Sequence, residues 1–294
     1  MQHYNTTGYR VFTAVNNTFL VLIALLCLLP FLHILAVSFS ADYAADSHMV
    51  KLWPVEFTTK AWAKTFGDSL FFRSLVNGIE RTVWGTLLSV VVTTLAAYAL
   101  SKERFKGRSF YVTVFIISLM FNGGLIPTFL LIKNLSLMDT LFALILPTAV
   151  NVWNMIILIN FFRNTVPRAL EESAFMDGAN HFGTLIYIYV PVALPAIATV
   201  TLFTMVVQWN SWFDGLIYMR RENYPLTTLL QTIVVQRNLS QLGTLTGKEL
   251  EAALLSQRSL KASQIFIGAL PIMMAYPFFQ RFFVKGMALG AVKE

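Results

Sequence analysis

RNTVPRALEESAFMDGANHFGTLIYIYVPVALP, from Arg163 to Pro195, is a polar, helix-patterned stretch lodged between two strongly apolar ones. Pro167 sits where an early helical position is expected, behind the capping candidates Asn164 and Thr165, with Glu171 and Glu172 in the first turns. Gly178 stops that helix, and Asn180 caps a second one, from His181 to Val190, which Pro191 closes. The spacing therefore predicts a helix, a glycine bend and a helix across residues 163–190.

What surrounds this loop is apolar. Of the 294 residues 56% are hydrophobic and only 13% are charged, and the mean hydropathy is +0.63, more apolar surface than a soluble core of this length needs. The composition is that of a membrane protein. A net charge of +7 would suggest nucleic acid in a soluble chain, but here basic flanks that hold membrane helices in place account for it. The single cysteine, Cys27, lies in the first apolar run, can form no internal disulfide and is read as a small buried hydrophobe.

Apolar runs place six membrane-spanning helices at about residues 19–39, 82–100, 110–132, 141–162, 191–217 and 263–283, in one all-α membrane domain over 1–294. His33, in the first, is expected to be neutral and hydrogen-bonded within the bundle. The third is interrupted by Phe121-Asn122-Gly123-Gly124-Leu125-Ile126-Pro127, the mark of a broken helix. Residues 40–81 and 220–261 read as outer loops. Four cations crowd the loop Ser101–Arg108, against one in Lys133–Thr140, which puts both termini and the 163–190 loop in the cytoplasm.

No enzymatic chemistry is legible. Gly243-Thr244-Leu245-Thr246-Gly247-Lys248-Glu249 resembles a phosphate loop only superficially: its spacing is wrong, and no Ser or Thr follows the lysine to ligate magnesium. The histidines at 3, 33, 48 and 181 are scattered, so no metal site is expected. The polar side chains within the apolar runs are instead mostly amides, Asn122, Asn151, Asn154, Asn160, Gln208 and Asn210, accompanied by Trp153, Trp209 and Trp212. Such a set suits a sugar path, where amides bond hydroxyls and aromatic faces cover pyranose rings, and it equally suits packing between helices.

The order Glu172-Ser173-Ala174, Gly178, Ile188 and Val190-Pro191 resembles the EAA motif, the cytoplasmic coupling loop of ATP-binding-cassette importer permeases. Ser173 replaces the usual alanine and Val190 the usual leucine. Asp177-Gly178-Ala179 matches the form common in the sugar-importing branch. Asn122-Gly-Gly-Leu-Ile-Pro127, Leu146-Pro147, Phe161-Phe162-Arg163 and the ending Lys285–Lys293 look like the maltose-type subgroup that serves oligosaccharides or polysaccharide fragments, alginate-type oligouronides among them.

This resemblance implies a non-catalytic permease in a bacterial cytoplasmic (inner) membrane, paired with a second, homologous permease. Its further partners would be two cytoplasmic ATP-binding subunits, which hold ATP and magnesium in place of any cofactor in this chain, and an extracytoplasmic solute-binding protein. An oligosaccharide is the implied substrate. The coupling helix with Glu171, Glu172, Ser173, Ala174, Asp177, Gly178 and Ala179 would seat on an ATP-binding subunit, and Asn122, Asn151, Asn154, Gln208, Trp209, Asn210 and Trp212 are the path candidates. In the maltose example the companion permease supplies most sugar contacts. The competing expectation is a secondary transporter or channel that works without ATP, which calls for membrane carboxylates and an internal repeat.

Overall fold

A computed structural model describes residues 6–121, 123–240 and 258–291, and every regular element in them is helical. Asn122, His3 and the rejected loop Gly243–Glu249 lie outside the described residues. The chain forms two compact units, one of residues 1–72 and 232–269 and the other of 73–231 and 270–294.

In the first unit, α1 (Thr7–Ser38) begins well before the expected span, because the Thr6 hydroxyl caps it by accepting from the Tyr9 amide at 3.4 Å. Nearly every residue of α1 from 7 to 32 is exposed, Cys27 included, so that cysteine lies on the helix surface and not in a core. A helix apolar on all sides with so little of this chain against it is suited to lipid. The two short helices α2 (Asp42–Asp46) and α3 (Lys60–Gly67) follow. Their small core joins Ala36, Val37, Ala44, Ala45 and Val50 to Ala262, while Trp62 stacks on Phe39 at 4.9 Å. His33 is hydrogen-bonded not within a helix bundle but to the exposed Lys51: Nδ1 lies 2.6 Å from the Lys51 carbonyl, which can only accept, so the ring nitrogen donates.

The second unit begins within α4 (Ser69–Ser101), which starts thirteen residues before the expected span, at 69 and not 82. Then come α5 (Arg108–Met120) and α6 (Leu125–Asn134), separated where Gly123-Gly124 was read as a break; Gly124 takes φ +87°, a left-handed value that glycine adopts without a Cβ clash. The expected fourth span is in two pieces, α7 (Leu141–Ile145) and α8 (Val152–Thr165). Three helices, 7–38, 69–101 and 258–280, are long and apolar enough to cross a membrane, or five spans exist if each of two bent helix pairs counts as one.

Of these pairs, residues 181–192 and 194–210 bend by 84° at Ala193, just before Pro195. Buried residues from the end of α4, from α8 and from the segment 185–200 pack into one core, with Phe162, Leu158, Met155 and Val200 almost wholly enclosed. The remaining helices are α9 (Arg168–Met176), α10 (His181–Thr184), α11 (Val190–Val192), α12 (Leu194–Asn210), α13 (Phe213–Tyr218) and α14 (Leu226–Ser240). Finally α15 (Arg258–Ala291) runs through Pro271 and Pro277.

Candidate functional site

The helix-bend-helix of 163–190 is present, with shifted boundaries. Asn164 and Thr165 belong to the end of α8, and Pro167 is itself the residue that precedes α9, at φ −63° and ψ 136°. At the other end the Ala179 amide donates to the Ala174 carbonyl at 2.9 Å and the Gly178 amide to the Phe175 carbonyl at 3.1 Å. These are the two bonds of a Schellman termination, and Gly178 supplies the left-handed residue at φ +84°. Nothing lies within 4 Å of where a Cβ would stand there, so conformation and not space selects glycine.

Asn180 caps the second helix, its Oδ1 accepting from the Gly183 amide at 2.7 Å. Pro191 does not close that helix. Residues Leu185–Tyr189 widen into a π turn, which accommodates a proline without an N–H, and the chain stays helical to Val192.

Helix α9 has two dissimilar sides. Glu171 faces inward: Lys102 Nζ donates to its Oε1 at 2.6 Å and the Tyr189 hydroxyl to its Oε2 at 2.7 Å, with both charged side chains 17% exposed. The same ammonium lies 4.2 Å from the Tyr98 ring centroid and 3.8 Å from that of Tyr189, cation–π distances. Burial pushes the Glu171 carboxyl up, but the hydrogen bonds from Lys102 and Tyr189 and the Lys102 charge outweigh it and hold the group below its ordinary value. Burial pulls the Lys102 amine down, only partly offset by Glu171.

The outer side of α9 is open. Glu172, Ser173 and Asp177 are exposed, Ala174 and Ala179 are half-buried, and Met176 is 87% exposed, whereas Phe175, one turn from Glu171, packs edge-on against His181 at 5.1 Å. The Ser173 hydroxyl is turned back on the Ala169 carbonyl at 2.9 Å.

The amide candidates fall into different places. Asn151 caps α8, its Oδ1 accepting from the Asn154 amide at 3.0 Å, and the buried Asn154 donates from Nδ2 to Thr204 Oγ1 at 3.2 Å. Gln208 is buried and donates from Nε2 to Thr148 Oγ1 at 2.8 Å. Asn151 and Gln208 face one cleft of about 240 Å³, together with Ser89, Thr148 and Thr204, which the sequence reading did not single out. Trp209 is buried near Gly78, whereas Asn210 and Trp212 are exposed and stand outside the cleft.

Beside the cleft residue Gln208 lies Arg81, the last residue of the expected outer loop 40–81. Arg81 is 1% exposed on α4 and forms a two-pronged ion pair with Asp214, while its Nη1 also donates to the Ser211 carbonyl at 2.8 Å and its Nε to Gln208 Oε1 at 3.3 Å. In a chain this apolar such a cation persists because every one of these partners accepts.

No protein-family model matches the chain. It is 37% identical over 290 residues to the polygalacturonan/rhamnogalacturonan transport system permease protein YtcP of Bacillus subtilis, covering 97% of this chain and 99% of the relative. It is 39% identical over 291 residues to Protein LplC of the same bacterium, covering 99% and 97%. Among solved structures it is similar to a chain in the crystal structure of a bacterial ABC transporter involved in the import of the acidic polysaccharide alginate, with a TM-score of 0.81, 32% identity and coverage of 95% and 98%. The matches run nearly end to end. On that ground the chain belongs to the membrane permeases of carbohydrate-importing ATP-binding-cassette transporters.

Proposed function

We propose that this permease is one half of a heterodimeric membrane channel in an ATP-driven, binding-protein-dependent importer of oligosaccharides in a bacterial cytoplasmic membrane. It crosses six times with both ends in the cytoplasm, α7 and α8 together making the span additional to the three long helices and two bent pairs. Two ATP-binding subunits hold the ATP and magnesium, and an extracytoplasmic binding protein delivers the sugar. Because one relative is named for polygalacturonan and rhamnogalacturonan transport, and the similar structure is of an alginate importer, polysaccharide fragments, charged and neutral, are the substrate class.

The observation that carries the coupling role is the two-sidedness of α9. Its outer face offers Glu172 and Met176 to a partner, and its inner face is tied through Glu171 to the end of α4 and to the π turn. A helix held this way passes a push on its outer face to both segments. ATP can then shift the transmembrane equilibrium, because closure of the ATP-binding subunits favours one position of α9 over the other.

The test is co-expression with the companion permease and the ATP-binding subunit, followed by purification. Wild type is expected to retain the ATPase, and Met176→Asp, which puts a charge at the most exposed apolar side chain of α9, to weaken retention at least about tenfold. If wild type keeps its companion permease but no ATPase, the coupling reading fails.

A further inference from the structure

We infer that the cleft between α4, the α7–α8 break and α12 is a pyranose-hydroxyl site belonging to this subunit, with Gln208 as its oriented donor and Arg81 as the residue that positions it. This rests on the importer reading above, and says which part of the substrate this permease touches.

The orientation of Gln208 follows from chemistry. A guanidinium only donates, so the amide oxygen must face Arg81 Nε, and Nε2 is thereby turned toward Thr148 and the cleft. The amide has room because residue 85 is glycine: a Cβ there would lie 2.8 Å from Gln208 Cδ and 2.9 Å from Nε2. Ser89, one helical turn further along α4, lines the same cleft, is 1% exposed, and its hydroxyl has no hydrogen-bond partner among the described residues. Buried hydroxyls are normally paired, so one lining a polar cleft without a partner is placed to take its bond from a ligand.

The lining also says what that ligand offers. Ser89, Thr148, Asn151, Thr204 and Gln208 are all uncharged, and Pro147, Val150 and Val207 complete the wall. The adjacent cation, Arg81, is engaged by Asp214, the Ser211 carbonyl and Gln208. A carboxylate placed here would lose its hydration without gaining a counter-charge, so the site reads hydroxyls. At about 240 Å³ the cleft is smaller than the roughly 300 Å³ at which drug-sized pockets begin, and holds one ring of a passing chain.

The experiment uses the purified complex of both permeases, ATPase and binding protein. Ser89→Cys is introduced with Cys27→Ser, so that the new thiol is the permease's only one, and its modification by a small methanethiosulfonate is timed. Galactobiose is expected to slow labelling at least about threefold, the worth of one hydrogen bond in occupancy, and digalacturonate is not. Should Ser89→Cys fail to assemble, Thr148→Cys reads the same cleft.

Ser89→Ala provides a second measurement. It removes a hydroxyl that makes no bond among the described residues, so the melting temperature of the complex is expected to hold while the galactobiose concentration giving half-maximal ATPase stimulation rises about three- to tenfold. A purely structural Ser89 would leave that concentration unmoved. Protection by digalacturonate instead of galactobiose, or by neither in a complex that retains its ATPase, overturns the inference alone. A wild-type permease pair that retains no ATPase overturns the importer reading, whatever the labelling shows.

Discussion

Glu171 and Glu172 are adjacent carboxylates with opposite surroundings. Glu172 stands in solvent on the open face of α9, while Glu171 accepts from Lys102 and Tyr189 behind it. Because the Glu171 carboxyl is held below its ordinary value of 4.5, the stability it contributes is fully present above pH 4.5 and is lost as pH falls through the lower, folded value. Glu171→Gln keeps a bond acceptor but removes the charge from a largely enclosed pair, leaving Lys102 uncompensated, and is expected to lower stability by about 1–3 kcal/mol at neutral pH. Melting curves of wild type and variant between about pH 7 and pH 3.5 should converge on the acid side as wild type loses the pair. If Glu172→Gln, and not Glu171→Gln, produced that convergence, the inner and outer roles would be exchanged. Only part of this was legible in sequence. Both glutamates stood out by position, but Lys102 was visible merely as one of several loop cations and Tyr189 as a residue between Ile188 and Val190, because a partner sixty-nine or eighteen residues away is chosen by the fold.

The bend between α9 and α10 could be read in advance because its forces are local. Gly178 and Asn180 act on backbone groups within five residues of themselves, through the Schellman bonds and the Asn180 cap. Gly178→Ala is expected to destabilise the loop by about 1–2 kcal/mol, the cost of a left-handed residue carrying a Cβ, with no steric collision to add to it. Gly178→Asn should recover part of that loss, since asparagine tolerates this conformation better. Hydrogen exchange at the Ala179 amide measures the effect directly, and equal protection in glycine, alanine and asparagine forms would show that the bend does not depend on the left-handed residue. The element ends were less legible. Pro167 and Pro191 were given positions by their usual habits, but the core around Phe162 and Tyr189 holds the chain helical beyond both expectations, at Thr165 and through the π turn. Likewise the polar sequence before Thr82 hid a helix that already runs from Ser69, since Arg81 reads as a loop cation until Asp214, 133 residues away, is seen to pair with it.

Across the whole molecule, composition made the membrane class plain, whereas of the cleft only Asn151 and Gln208 stood out in sequence: Gly85 and Ser89, which face Gln208 from another helix, form no motif. Orientation stands between these extremes. The cations of Ser101–Arg108 were read as an inward-retaining cluster, and two of them are also bound into the structure, Lys102 by Glu171 and Arg108 through Nε to the Leu100 carbonyl at 2.9 Å, where it caps the end of α4. The proposed six-span arrangement predicts that fusions of a fluorescent protein, which folds only inside, are bright after Lys106 and after Ala179. Fusions of an alkaline phosphatase, active only outside, should be active after Ser136 and after Asn223. Phosphatase activity after Ala179 would remove the coupling loop from the compartment that holds ATP. Fluorescence after Ser136 would instead mean that α5 and α6 enter and leave on one side, reducing the spans and leaving the two termini on opposite faces.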